Sequence, residues 1–129
     1  MDAAHLRIEV NDHGPVTIVK PVGYLTSDGH AVLDERLDAL FIQGHHLLVV
    51  DLGAVLYLSS TVLGVLLYHK KKLEERGGCL IIACCPEALL RVIAASGLQN
   101  ALDLRPTREE AMQFARDKVG SGRWQALSV

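Results

Sequence analysis

The densest run of side chains able to do chemistry is Leu58-Ser59-Ser60-Thr61-Val62-Leu63-Gly64. Three hydroxyl residues stand in a row where an apolar stretch gives way to helical spacing. One hydroxyl is enough to cap a helix, because it accepts from one of the free N–H groups of the first turn. Plain capping therefore accounts for one of the three, and the others are open to anion chemistry. A helix N-terminus offers unpaired donors and a partial positive charge. A phosphate on a serine there adds about −1.5 to −2 charges and three acceptor oxygens. The helix end tolerates that charge, while a partner surface docked over the same loop need not. A serine so placed can switch binding and leave the fold nearly intact.

Other candidate chemistries fail on spacing. Ser59 and Ser60 lack a Gly-x-Ser-x-Gly elbow, and the chain has no Walker-type or Gly-x-Gly-x-x-Gly loop. It has no Cys-x-x-Cys and no His-Glu-x-x-His. His45 and His46 are adjacent at a strand entry, so they point to opposite faces and do not readily share one ion. Lys70, Lys71 and Lys72 fan out about 100° apart around a helix, which makes a solvated helix end rather than a basic stripe. Cys79, Cys84 and Cys85 are an odd number without framework spacing, and their apolar surroundings suggest buried, reduced thiols. No group of side chains converges for catalysis. The chain reads as a binding module and not an enzyme, with no metal and no cofactor.

The elements that must position the hydroxyl run follow from periodicity. Leu6, Ile8 and Val10 alternate with polar residues, Asn11 to Pro15 is turn chemistry, and Val16 to Val22 is rich in β-branched residues. These make an antiparallel hairpin. Thr26 or Ser27 can cap a helix carrying Leu33, Leu37, Leu40 and Phe41, closed by Gly44. Leu47-Leu48-Val49-Val50 is an uninterrupted apolar run that suits a strand covered on both faces, and Asp51 to Leu58 leads out of it. A second helix begins near Ser60, with Leu63, Leu66, Leu67 and Leu73 as its apolar stripe. Gly77-Gly78 stops it, and Cys79 to Cys84 is another buried strand. Pro86 suits the first turn of a third helix that turns Leu89, Leu90, Val92 and Ile93 inward. Ala101 to Leu104 is a short strand, and Thr107 with Glu110 forms a capping box for a last helix. The order is β-β-α-β-α-β-α-β-α, which predicts an α/β fold with a mostly parallel or mixed sheet.

Bulk properties set the compartment and the excluded partners. The chain of 129 residues fits one domain, with 50% apolar and 22% charged residues. A net charge of −2 leaves no electrostatic footprint for nucleic acid or anionic membrane. The longest apolar candidate, Val62 to Tyr68, is too short to span a bilayer, and the N-terminal residues lack a signal-peptide core. The expectation is a cytoplasmic protein that binds neither nucleic acid nor membrane.

With these elements in place, Val50-Asp51-Leu52-Gly53-Ala54-Val55-Leu56-Tyr57-Leu58-Ser59-Ser60-Thr61-Val62-Leu63-Gly64-Val65-Leu66-Leu67 resembles the signature region of STAS domains, the family named after sulfate transporters and anti-sigma factor antagonists. Gly23-Tyr24-Leu25-Thr26 resembles the family's Gly-Glu-Leu-Asp after the second strand. Gly77 to Ile82 resembles its Gly-Gly entry to the next strand. Ser96-Gly97-Leu98 and Thr107-Arg108-Glu109-Glu110-Ala111 resemble the end of its third helix and the start of its last. The likeness covers about residues 5 to 118, read as a single STAS domain, with residues 119–129 as a C-terminal tail. It implies a mixed sheet of about four to five strands with helices packed on one side.

The resemblance also implies a mechanism. In antagonists of this kind the serine after the signature aspartate is phosphorylated by an anti-sigma factor that is also a serine kinase. The unphosphorylated antagonist binds that kinase, and a phosphatase restores it. That serine corresponds to Ser60, and Thr61 to the hydroxyl after it. The chain departs from the pattern in four places: Ser59 replaces the aspartate, Val62 a glycine, and Tyr24 and Thr26 the two acids. The leading reading is a bacterial antagonist with Ser60 as phosphoacceptor and Tyr24, Leu25, Thr26, Ser59, Thr61, Val62 and Leu63 as partner-binding residues. Exposed Tyr24, Leu25, Val62 and Leu63 would be its apolar anchors. The alternative is a scaffold subunit of a stress-sensing or lipid-transport complex without phosphorylation. A weak homodimer is left open.

Overall fold

The structure, a computed structural model, describes residues 6–127, with side chains through residue 118. The elements are β1 (Leu6–His13), β2 (Val16–Leu25), α1 (His30–Ile42), β3 (Leu47–Asp51), β4 (Val55–Leu58), α2 (Ser60–Glu74), β5 (Cys79–Ala83), α3 (Glu87–Ala95), β6 (Asp103–Arg105) and α4 (Arg108–Leu127). The expected order is present with one addition, β4. Residue 5 and residues 128–129 lie outside the described residues, as do the side chains of the segment read as a tail.

The sheet runs β1-β2-β3-β5-β6, with β4 paired to the far end of β2. β1 and β2 are antiparallel, joined through Gly14 and Pro15 with His13 opposite Val16. The hairpin turn is tighter than expected, because Asn11 and Asp12 pair with Ile18 and Thr17 and belong to the strand. All other pairings are parallel. At the entry to β5, Gly78 is a steric requirement. A Cβ there would sit 2.1 Å from the His46 carbonyl oxygen, whose acceptor bond to the Cys79 N–H joins β5 to β3.

Helices pack on both faces, not on one. Leu33, Leu37 and Leu40 of α1, Leu63, Leu66 and Leu73 of α2, and Leu89 and Ile93 of α3 bury one face with Leu48, Val50, Leu80 and Ile82. Ala111 and Ala115 of α4 cover Val16, Ile18, Val49, Cys79, Ile81 and Ala83 on the other. The cause is in the strands. β5 is buried along its whole length and β3 at four of its five residues, so neither face can be left to water. The small alanines, four residues apart, let α4 lie close to the sheet.

α1 begins later than expected. Its N-cap is Gly29, and Thr26 Oγ1 instead accepts from the Gly29 N–H at 3.2 Å in the preceding turn. Across α1 and α2 the buried His69 meets Asp34 with Nε2 to Oδ1 at 2.6 Å, and Lys72 donates to Asp38 at 2.9 Å while sitting 4.3 Å from the centre of the Phe41 ring. That hydrogen bond to Asp38 raises the Lys72 pKa above its ordinary value. Leu90 departs from the inward stripe expected for α3 and stays 39% exposed.

α4 is held down at its start by charge. Arg108 donates from Nε at 3.1 Å and from Nη2 at 2.8 Å to Asp51 Oδ2, and the Gly53 N–H donates to Asp51 Oδ1 at 2.8 Å. Asp51 is 5% exposed, so its carboxylate depends on these donors. Arg108→Met should lower stability by about 2–3 kcal/mol, read from the urea midpoint, because it leaves a buried carboxylate short of partners. Arg7→Ala, which removes the exposed pair with Glu9, should change it by less than about 0.5 kcal/mol. Equal effects would contradict the role given to Asp51.

Candidate functional site at the start of helix α2

β4 delivers the hydroxyl run. Ser59 is the N-cap of α2, in extended conformation at φ −83° and ψ 155°. Its N–H donates to the Leu25 carbonyl at 3.0 Å, which ties the loop to the end of β2. Its Oγ accepts from the Val62 N–H at 3.4 Å, a long capping bond, and the residue is 6% exposed. Ser59 is thus the structural hydroxyl. It replaces the family's aspartate with a neutral cap.

Ser60 and Thr61 are the first two residues of the helix and both are exposed. Among the described residues neither hydroxyl has a hydrogen-bond partner. The first turn of α2 contains no acidic side chain, so nothing there opposes added negative charge. The structure therefore divides the run in two: one buried hydroxyl that builds the turn, and two exposed ones without a hydrogen-bond partner among the described residues.

The expected anchors are partly corrected. Leu25, Val62 and Leu63 are fully buried at 0% exposure and cannot touch a partner. Val62, Leu66, His69 and Leu73 recur at helical spacing toward the core, with Leu63 beside them, so Val62 extends the buried stripe. Tyr24 is 43% exposed, Thr26 is half-buried, and Thr61 is exposed. Sequence reasoning missed Leu56, 68% exposed, and Tyr57, 50% exposed. Tyr57 lies opposite Tyr24 in the parallel β2–β4 pair, three residues before Ser60. The available signal was Val55-Leu56-Tyr57-Leu58, an apolar run rich in strand-forming residues. Neither 22–27 nor 53–64 contains a charged residue, so the end of the β2–β4 pair that leads into Ser60 presents Tyr24, Leu56 and Tyr57 as an uncharged rim.

Gly64 lies one turn further along the exposed face, and a Cβ there would meet nothing within 4 Å. No internal contact requires this glycine, although it weakens the helix by about 1 kcal/mol relative to alanine.

The remaining candidates resolve into structural roles. His45 Nδ1 lies 3.0 Å from Thr17 Oγ1, while His46 lies tilted against Phe41 with ring centres 4.9 Å apart, so the two imidazoles have different partners. Lys70 and Lys72 pair with Glu74 and Asp38. Cys84 has φ +59° and packs with the α4 side, while Cys85 packs with the α1–α3 side, so adjacent thiols serve opposite cores. Burial pushes Cys79 and Cys85 up to about 11. No helix among the described residues is long and apolar enough to cross a membrane.

Two outcomes are expected. Ser59→Ala should cost about 0.5–1 kcal/mol of stability through the lost cap, while Ser60→Ala should stay within about 0.5 kcal/mol of wild type, both from urea melts. The reverse order would contradict the division of roles. The Cys79 and Cys85 thiols should resist alkylation in the folded protein at pH 8 and react on unfolding. Their folded pKa values are raised, so their contribution to stability is complete below pH 9, the ordinary thiol value, and is lost as pH rises through about 11. A denaturant midpoint flat across that window would show otherwise.

A family model for the STAS domain matches residues 7–111. The chain is similar to the anti-sigma-B factor antagonist of Bacillus subtilis (strain 168), 34% identical over 82 residues that cover 64% of this chain and 74% of that protein. Its fold is similar to the crystal structure of an anti-sigma factor antagonist from Mycobacterium paratuberculosis, with a TM-score of 0.79 and 27% identity over 89% of this chain and 97% of that one. It also matches the anti-sigma factor antagonist SpoIIAA in its unphosphorylated form, with a TM-score of 0.73 and 18% identity over 86% of this chain and 97% of that one. The Bacillus cell fate determinant SpoIIAA in its phosphorylated form has a similar fold, with a TM-score of 0.63 and 17% identity over 83% of this chain and 97% of that one. A neutral serine cap, an exposed serine at a helix start and a two-faced mixed sheet thus belong to a chain that is a member of the STAS domain family, among its anti-sigma factor antagonists.

Proposed function

We propose that this protein is a cytoplasmic, non-enzymatic antagonist that binds a serine-kinase anti-sigma factor over the start of α2 and is switched off by phosphorylation of Ser60. One observation carries the reading. Ser60 presents an exposed hydroxyl without a hydrogen-bond partner among the described residues, at the first turn of a helix that has no acid there. The buried cap is its neighbour Ser59, so phosphate can be added to Ser60 without undoing the turn.

The energetics favour a switch that acts on the partner. A phosphoserine in the first turn interacts favourably with the helix dipole, by about 0.3–1 kcal/mol, so the fold is kept. The same charge lies at the end of the uncharged rim of Tyr24, Leu56 and Tyr57. A partner seated on that rim would have to desolvate it, which costs several kcal/mol for an unpaired ion. Removal of the phosphate by a phosphatase restores the surface. Gly64 supports the placement, because a bare helix turn allows close approach of a partner backbone.

Pull-downs from the native cells with wild type, Ser60→Ala and Ser60→Asp provide the test. A kinase-type anti-sigma factor should be enriched on Ser60→Ala and reduced by about tenfold or more on Ser60→Asp. The same partner on all three baits would instead favour a constitutive scaffold subunit. Gly64→Ala should raise stability by about 0.5–1 kcal/mol in urea melts while weakening capture of that partner. A Gly64→Ala protein that is stabilised and captures as well as wild type would remove Gly64 from the interface.

A further inference from the structure

Away from Ser60, the carboxyl ends of β5 and β6 carry a cavity of about 220 Å³ lined by Cys85, Leu90, Leu104, Arg105 and Pro106. We infer that this cavity is a binding site for a small amphiphilic monoanion, an aliphatic carboxylate of about six to eight carbons. The inference does not depend on the antagonist reading.

Three observations converge. The first is topological. The chain leaving β5 passes to α3 on one face, and the chain leaving β6 passes to α4 on the other. Where neighbouring parallel strands send their connections to opposite faces, a crevice opens at their carboxyl ends, and ligands of α/β sheets sit in such crevices. The second is an exposed apolar side chain. Leu90 remains 39% exposed although α3 is strongly amphipathic, and it forms one wall of this cavity. With Leu104, Pro106 and the Cys85 thiol it makes an apolar lining for an alkyl chain.

The third is charge. Arg105 has no carboxylate partner among the described residues. Its guanidinium lies 4.5 Å from the centre of the Phe114 ring on α4, and its Nη1 donates to the Leu104 carbonyl at 3.1 Å. The ring and the carbonyl hold the cation at the cavity edge and leave further N–H donors for an anion. The thiol adds no competing negative charge, because burial pushes Cys85 up to about 11. An apolar pocket with a single cation at its edge selects a chain that ends in one carboxylate.

The test is a titration of the full chain with sodium octanoate, followed by amide NMR shifts, with 1-octanol as the uncharged comparison. Saturable shifts should cluster on residues 85–90 and 104–106, with a Kd on the order of 1 mM, as expected of a ligand this small. Octanol should bind about tenfold more weakly, and Arg105→Gln should erase that difference. Leu90→Asn, at a half-open position away from the core clusters, should weaken octanoate and octanol alike. The inference is overturned by the absence of saturable shifts up to about 20 mM octanoate, by shifts centred elsewhere, or by equal binding of the two ligands to wild type.

Discussion

The carboxylate of Asp51 is the point on which both halves of the molecule turn. It closes β3 and is nearly excluded from water. Two donors of Arg108 and the Gly53 amide meet it there. Through Arg108 it fixes the start of α4 on one face of the sheet. Through Gly53 it bends the chain from β3 into β4, and β4 places Ser59 and Ser60 at the start of α2. A buried charge of this kind is costly unless every lone pair is met, so the surrounding chain has little freedom to rearrange. The start of α2 and the far-side helix are thus both tied to one ion pair spanning residues 51 and 108.

The hydroxyl run offers two conditions that a single serine could not meet together. Capping needs a buried, bonded oxygen, whereas modification needs an exposed, unbonded one. Ser59 meets the first condition and Ser60 the second. The departures from the family pattern now have physical content. Ser59 keeps the cap and removes a charge. Val62 joins the buried stripe and leaves the surface unchanged. Tyr24 replaces an acid with an aromatic ring opposite Tyr57. The end of the β2–β4 pair that leads into Ser60 therefore carries no charge of its own.

Most of the element order was legible because the signals are local. The alternation in β1, the β-branched run of β2, the leucine spacing of α1 and α2, and Thr107 ahead of α4 each specify their own structure. The Thr107 cap accepts from the Glu110 N–H at 3.1 Å. What was not legible depends on tertiary partners. β4 is only four residues long and becomes a strand by pairing with β2. Helices on both faces were implied by the unbroken apolar runs of β3 and β5, but the family resemblance pointed to one face. The burial of Val62 and Leu63 follows from the stripe that α2 turns inward, and nearness to Ser60 in sequence concealed it, while Leu25 is buried at the end of β2 where it pairs with Leu58. The ion pair between Asp51 and Arg108 joins positions 57 residues apart, beyond any local pattern.

The central claim is that Ser60, and not its neighbours, carries the regulatory charge. The most direct measurement is site-resolved phosphopeptide mass spectrometry of the protein isolated from its native cells across growth and stress conditions. Phosphate on Ser60 whose occupancy changes with condition, with none on the buried Ser59, is the expected result. Phosphate on Ser59, or no phosphate on the 59–61 run under any condition, would contradict it.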